Sequence, residues 1–264
     1  MLIVGERINT SRKGIEPAVR SRDLEFINNE VVLQVAAGAG MIDVNAGTLL
    51  EGEPEALAWL TQVAQAEANV PLCLDSPNPL ALSAALKVHK GKALINSISG
   101  EEERYRAIIP LAKEYQAAVV ALTMDNNGMP TDAMGRLNVA RKLIQRLNAD
   151  GIDLSDIYID PLVQPIGSDS NQGAAVLGTI SVIKAEYPDV HVICGLSNIS
   201  YGLPIRRLLN RTFLAMCVTM GLDGVICDPL DRDMMKAIYA SAALVGKDEF
   251  CMGYINAFRE QRLD

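Results

Sequence analysis

Short apolar runs and longer segments of helical spacing alternate from one end of this chain to the other. The clearest run is HVICGLSN, residues 191–198, whose Val192, Ile193, Cys194 and Leu196, with Val190 just before them, suit a strand buried on both faces, as parallel-sheet strands are. It stops abruptly at the polar pair Ser197 and Asn198. The same design recurs in LIVGERIN from Leu2, MIDVNAG (41–47), LCLD after Pro71, ALIN (93–96), AAVVALTM (117–124), IYID (157–160) and GVICD (224–228). Each is an apolar run closed by polar residues and followed by a segment with helical spacing.

The first helical segment carries Leu24, Ile27, Val31 and Val35 and is ended by Gly38 and Gly40. Before it, a Ser-, Lys-, Arg- and Pro-containing stretch reads as a loop to about Arg22. Further helices are expected over 53–68 and over 78–89, the latter started by Asn78-Pro79. Ser99 and Glu102 form an S-x-x-E capping box for the next helix. Thr131 is positioned to cap a helix whose Leu137, Ala140, Ile144 and Leu147 share one face. Another helix ends near Tyr187-Pro188, and one after the seventh strand presents Leu209, Phe213, Met216, Cys217 and Met220. A last long helix runs over about 231–245, and the tail from Lys247 reads as a short helix packed on the rest.

Eight strand–helix units in 264 residues predict a single (β/α)8 barrel spanning 1–264. A doubly wound open sheet is the alternative, but no GxGxxG follows the first strand. With 49% hydrophobic residues the chain can fill one large core, and no apolar stretch is long enough for a membrane span. A net charge of −8 argues against a nucleic-acid partner. Cys73, Cys194, Cys217, Cys227 and Cys251 show no metal-ligand spacing, which reads as reduced thiols in a cytoplasmic protein without a bound metal. His89 and His191 are the two histidines, and His191 opens its strand at the end away from a barrel's active face, which disfavours a Ser-His-Asp triad.

In such a barrel one mouth is lined by Glu6, Asn9, Asp43, Asn45, Asp75, Asn96, Thr123, Asp160, Asn198 and Asp228. This ring is rich in carboxylates and amides and poor in cations, so it suits a neutral ligand rich in hydrogen-bond donors rather than a sugar phosphate. Two aspartates and an asparagine facing inward match the 2-amino-4-oxopyrimidine edge of a pterin, each charge-assisted hydrogen bond contributing about 1.5–3 kcal/mol. The competing use of such acids is capping a helix or bonding a loop amide, above all for Asp43 and Asp228.

At GERIN (5–9), CLDS (73–76), INS (95–97), YIDP (158–161), GLSN (195–198) and NRTFLAM (210–216) the chain resembles the methyltetrahydrofolate:corrinoid methyltransferases, pterin-binding barrels related to the folate domain of cobalamin-dependent methionine synthase. The resemblance implies that Asp75, Asn96 and Asp160 hold the pterin, with Asp43, Ser197 and Arg206 beside it, and that Asn198 reaches the N5 nitrogen carrying the methyl group. It implies tetrahydrofolate or 5-methyltetrahydrofolate as substrate, a corrinoid (cobalamin) carried by a small partner protein, and a homodimer. Tyr201 is a departure, standing where the family relative has a glutamine near the pterin.

An amide has no pKa suited to general acid catalysis, so Asn198 would act by a hydrogen bond that strengthens as charge changes at N5, with the proton travelling through a network to which Glu6, Asp43 and Asp75 are candidates. The direction of transfer is not set by these residues. Arg12, Lys13, Arg20 and Arg22 are expected on the rim, facing the folate glutamate tail or an acidic partner, with a solvated loop as the competing reading. Two other functions fit the same barrel. A dihydropteroate synthase would use basic residues such as Arg206 and Arg207 toward a pyrophosphate, but that family's opening motif is absent. A folate-binding protein without chemistry would not need Asn198.

Overall fold

The computed structural model describes residues 1–49 and 51–263; Leu50 and Asp264, both within the expected 1–264 unit, lie outside the described residues. Eight strands close into a barrel in chain order, all pairs parallel. They are β1 (Leu2–Asn9), β2 (Met41–Asn45), β3 (Leu72–Asp75), β4 (Leu94–Gly100), β5 (Ala118–Asp125), β6 (Ile157–Asp160), β7 (His191–Gly195) and β8 (Gly224–Cys227). The barrel expected from the sequence is therefore the one observed.

The helices form an outer ring. Two, α1 (Ile15–Ser21) and α2 (Leu24–Ala36), lie between β1 and β2. Then come α3 (Glu53–Glu67), α4 (Pro79–Val88), α5 (Glu102–Glu114), α6 (Ala133–Ala149), α7 (Gln172–Glu186), α8 (Arg206–Thr219), α9 (Arg232–Leu244) and α10 (Met252–Arg259). Several local expectations are corrected. The stretch read as a loop to Arg22 contains α1, which buries Ile15, Ala18 and Val19 among its polar residues. The strand read as ALIN runs on to Gly100, so Ser99 belongs to β4 and cannot cap α5; Glu101 is the N-cap residue, and Ser99 Oγ donates to its Oε2 at 2.9 Å. Asp132 rather than Thr131 caps α6, accepting the Gly135 N–H at 2.7 Å. On α8 the buried face is Phe213, Leu214, Cys217 and Val218, whereas Met216 and Met220 are 46% and 39% exposed.

Strand side chains alternate between two apolar layers, as the period of two requires. Ile3, Ile42, Leu72, Leu74, Ile95, Val119, Ala121, Val192 and Cys194 pack outward against the helices. Their neighbours Val4, Met41, Cys73, Leu94, Ala118, Val120 and Ile193 form a separate cluster that fills the barrel interior. This interior layer is the floor on which the polar mouth stands. His191 stacks on Tyr158, with ring centroids 4.7 Å apart, at the opposite, amino-terminal end of the strands.

Candidate active site

The same alternation that places Cys73 and Leu94 in the interior places Asp75 and Asn96, two residues later, on the same inward face one layer higher. Asp43 follows Met41, Glu6 follows Val4 and Asp160 follows Tyr158 by the same step. The parallel register sets Asn45 beside Asp75 and Asp75 beside Asn96. Asn45 Nδ2 donates to Asp75 Oδ2 at 2.7 Å. Cys73 and Asn96 flank the Asp43 carboxyl, yet its buried Oδ1 has no hydrogen-bond partner among the described residues. A buried acceptor left open in this way is what a ligand's donor completes. It also shows that Asp43 is not used as a helix cap.

Asp160 closes β6, where the register sets it beside Leu122 of β5, and its Oδ1 accepts the Leu162 N–H at 2.7 Å. Burial raises the pKa values of these acids. Asp43 is pushed well above the usual carboxylate range, first by burial and then by the neighbouring Asp75 charge. Burial raises Asp75 as well, against the Asn45 hydrogen bond and the Arg104 charge, and pushes Asp160 up to about 7. Glu6 is raised by burial, opposed by Arg12. Carboxyls raised by burial, Asp160 to about 7, can both clasp a donor-rich ring and exchange protons with it.

Ser197 and Asn198 are exposed in a short 3-10 turn (Leu196–Ser200) that continues β7 over the mouth. Arg206 at the start of α8 pins this turn: its Nη2 donates to the Ser197 carbonyl at 2.6 Å and its Nε to Ser200 Oγ at 3.1 Å. Tyr201 is 67% exposed beside it, with the Arg206 guanidinium 5.8 Å from the ring centroid.

Some expected rim residues do other work. Thr123 shares the helix-facing side of β5 with Val119 and Ala121 and is buried there. Asn9 Oδ1 accepts from the Ser11 N–H and Oγ in its own turn. Asp228 accepts the Leu230 N–H and pairs with Arg7 and Arg12, each at 3.0 Å. Of the basic residues expected on the rim, Arg12 reaches the mouth through Asp228, but Arg20 pairs with Glu16 along α1, and Arg22 lies over Trp59 of α3 at 4.8 Å.

The groups that fix the site's loops escaped the sequence reading. Arg104 of α5 donates to the carbonyls of Ser97, Pro77 and Ser76, tying the turn after β3 to the middle of β4 just past Asn96. Glu53 of α3 accepts from Ser76 Oγ and Asn78 Nδ2. Arg136 of α6 is fully buried and donates to the carbonyls of Pro161, Leu162 and Thr131 and to Gln172 Oε1, which anchors the turn after Asp160. Its signal was a charged residue at helical spacing from Ala140 and Leu143, on the buried face of α6. Arg104 was lost in the charged run EEERYR.

A cleft of about 870 Å³ opens on the opposite side of the mouth, beneath the first turns of α8 and α9, with Ser197 and Asp228 at its inner edge.

Comparison with known proteins places this arrangement. The sequence profile of the family described as pterin binding enzyme matches residues 5–228. The methylcorrinoid:tetrahydrofolate methyltransferase of Eubacterium limosum is 36% identical over 100% of this chain and 98% of its own length. The methionine synthase of Mycobacterium tuberculosis is 32% identical over 86% of this chain, which spans only 20% of that enzyme's length. A crystal structure of Yersinia pestis dihydropteroate synthase with a sulfonamide drug superposes with a TM-score of 0.73 at 15% identity, covering 93% of this chain and 94% of that one, a likeness of fold. The chain belongs to the pterin binding enzymes and, among them, to the methyltetrahydrofolate:corrinoid methyltransferase family.

Proposed function

We propose that this protein transfers a methyl group between a protein-bound corrinoid and N5 of tetrahydrofolate. Similarity to the Eubacterium limosum enzyme along its full length supports this reading, and the name of that enzyme gives methylcorrinoid as donor and tetrahydrofolate as acceptor. The structural observation that carries it is the inward tier of Asp43, Asp75 and Asn96 with an open buried acceptor on Asp43. Asp75 and Asp160 take the ring N–H and exocyclic NH2 of the pterin, and Asn96 meets its ring acceptors. Asp43, Ser197 and Arg206 complete the surroundings.

Asn198 hydrogen-bonds at N5. In the direction of folate methylation, N5–H loses its proton as the N5–carbon bond forms and the cobalt–carbon bond breaks, the bonding pair remaining on cobalt. The raised carboxyls of the tier are suited to receive that proton through the hydrogen-bond network. The corrinoid supplies the reactive cobalt; this chain supplies position and electrostatics. A small corrinoid protein is the partner, and the working form is a cytoplasmic homodimer.

The test is to mix the purified protein with 5-methyltetrahydrofolate and Co(I)-cobalamin and follow the cobalt absorption spectrum. Conversion of Co(I) to methyl-Co(III) is expected. An unchanged spectrum, with dihydropteroate formed instead from a dihydropterin pyrophosphate and p-aminobenzoate, overturns the proposal in favour of the synthase.

A further inference from the structure

We infer that Ser200 and Asn210 are positioning residues for methyl transfer: the hydrogen bond between them fixes the peptide that precedes Asn198 and so aims that side chain. This rests on the role at N5 proposed above. Asn210 heads the run NRTFLAM, whose Phe213 and Leu214 are buried in the core. Asn210 itself is half-buried on α8 and packs into no apolar cluster.

The turn Leu196–Ser200 is held at its buried residues. Leu196 and Ile199 enter the apolar core, and the Ile199 carbonyl accepts the Ile166 N–H at 3.0 Å. Asn198 is exposed, and among the described residues no hydrogen bond holds its side chain. Its aim is therefore set by its backbone, above all by the peptide plane it shares with Ser197. Arg206 holds that plane, its Nη2 donating to the Ser197 carbonyl at 2.6 Å. A long exposed side chain keeps one geometry at an entropic cost, so a second contact is needed to fix it. Ser200 supplies that contact. Its buried hydroxyl accepts from Arg206 Nε at 3.1 Å and donates to Asn210 Oδ1 at 2.7 Å. A hydroxyl has one proton to give. Given to Asn210, it leaves the lone pairs to Arg206, and the relay runs from α8 through Ser200 and Arg206 to the peptide before Asn198. Without the Asn210 acceptor, the hydroxyl turns to the Ser197 carbonyl, which lies 3.4 Å away and is the oxygen that Arg206 holds. The two donors then compete for it and the peptide loosens.

The experiment follows methyl transfer from 5-methyltetrahydrofolate to Co(I)-cobalamin by stopped flow, and tetrahydrofolate binding by calorimetry. It uses the intact protein, Asn210→Leu, Asn210→Asp and Ser200→Ala, each also combined with Asn198→Ala. Asn210→Leu is expected to slow transfer about tenfold, with affinity changed less than about twofold, because misplacement of a reacting group falls on the rate. Asn210→Asp keeps an acceptor for Ser200 and is expected to stay within about threefold of the intact rate. In the Asn198→Ala background Asn210→Leu should add less than about twofold, since a residue that acts through Asn198 has nothing left to position. Ser200→Ala is expected to behave as Asn210→Leu does and takes its place should the leucine variant not fold. Intact rates in Asn210→Leu and Ser200→Ala overturn the inference and leave the role of Asn198 in place. An equal loss in Asn210→Asp, or an undiminished loss in the Asn198→Ala background, overturns it as well, the latter marking an effect on the fold alone. An intact rate in Asn198→Ala itself overturns the N5 role and the inference together.

Discussion

Two sets of arginines face the barrel mouth, and their partners differ completely. On the side of β3, β4 and β6, Arg104 and Arg136 are sunk among backbone carbonyls and hold the turns that follow Asp75 and Asp160 and the stretch of β4 just past Asn96. On the side of β7 and β8, Arg207 and Arg232 stand exposed around an open cleft. The first set builds a rigid frame, because a fixed turn keeps a carboxylate aimed. The second stays in solvent: Arg207 stands 3.8 Å from Asp231, and Arg232 has no ion pair among the described residues.

Asn198 stands at the boundary between the two sides, and its substitution has the largest expected effect. Asn198→Ala should lower the methyl-transfer rate by about 10²–10³-fold while tetrahydrofolate affinity moves only a few-fold. Stopped-flow transfer and equilibrium binding measured together check this; near-normal transfer would remove the role assigned at N5.

Arg136→Met tests the frame itself. It leaves buried carbonyls without a donor, and denaturant titration should show a loss of about 3 kcal/mol. Arg207→Met, on the exposed set, should stay within about 0.5 kcal/mol. Equal losses at the two positions would dissolve the contrast.

The pH dependence follows from Asp160. It holds its proton more tightly folded than unfolded, so its contribution to folding stability is full below about pH 4 and is lost as pH rises through about 7. Folate binding runs the other way, since the pterin's donors favour the carboxylate. Affinity should improve by up to about tenfold per unit as pH rises toward about 7 and then level off, with proton release on binding. Asp160→Asn should flatten both curves in calorimetry across buffers; an unchanged slope would place the titration elsewhere.

The barrel was legible because its interior obeys a period of two and its helices a period near 3.6, both written into single residues. The polar ends of the strands were legible for the same reason: Asp75 and Asn96 close apolar runs. Parity was not legible where a strand's length was misread. A bulge between Gly5 and Ile8 turns Ile8 toward the helices while Glu6 faces inward, and β5 carries Thr123 away from the mouth. The short α1 was hidden because its apolar residues are too few for a periodic pattern. Arg104 and Arg136 act on carbonyls far away in sequence, and backbone acceptors have no signature in side-chain chemistry.

Asp228 is clasped by Arg7 and Arg12, and β8 pairs with β1 along four residues. β1 therefore waits for β8. Until residues 224–228 leave the ribosome, a nascent chain has β1 synthesised but one of its edges bare, an invitation to pair with another molecule. Closure spans 221 positions between Arg7 and Asp228, so the slow event in folding is a long-range seam rather than any single helix.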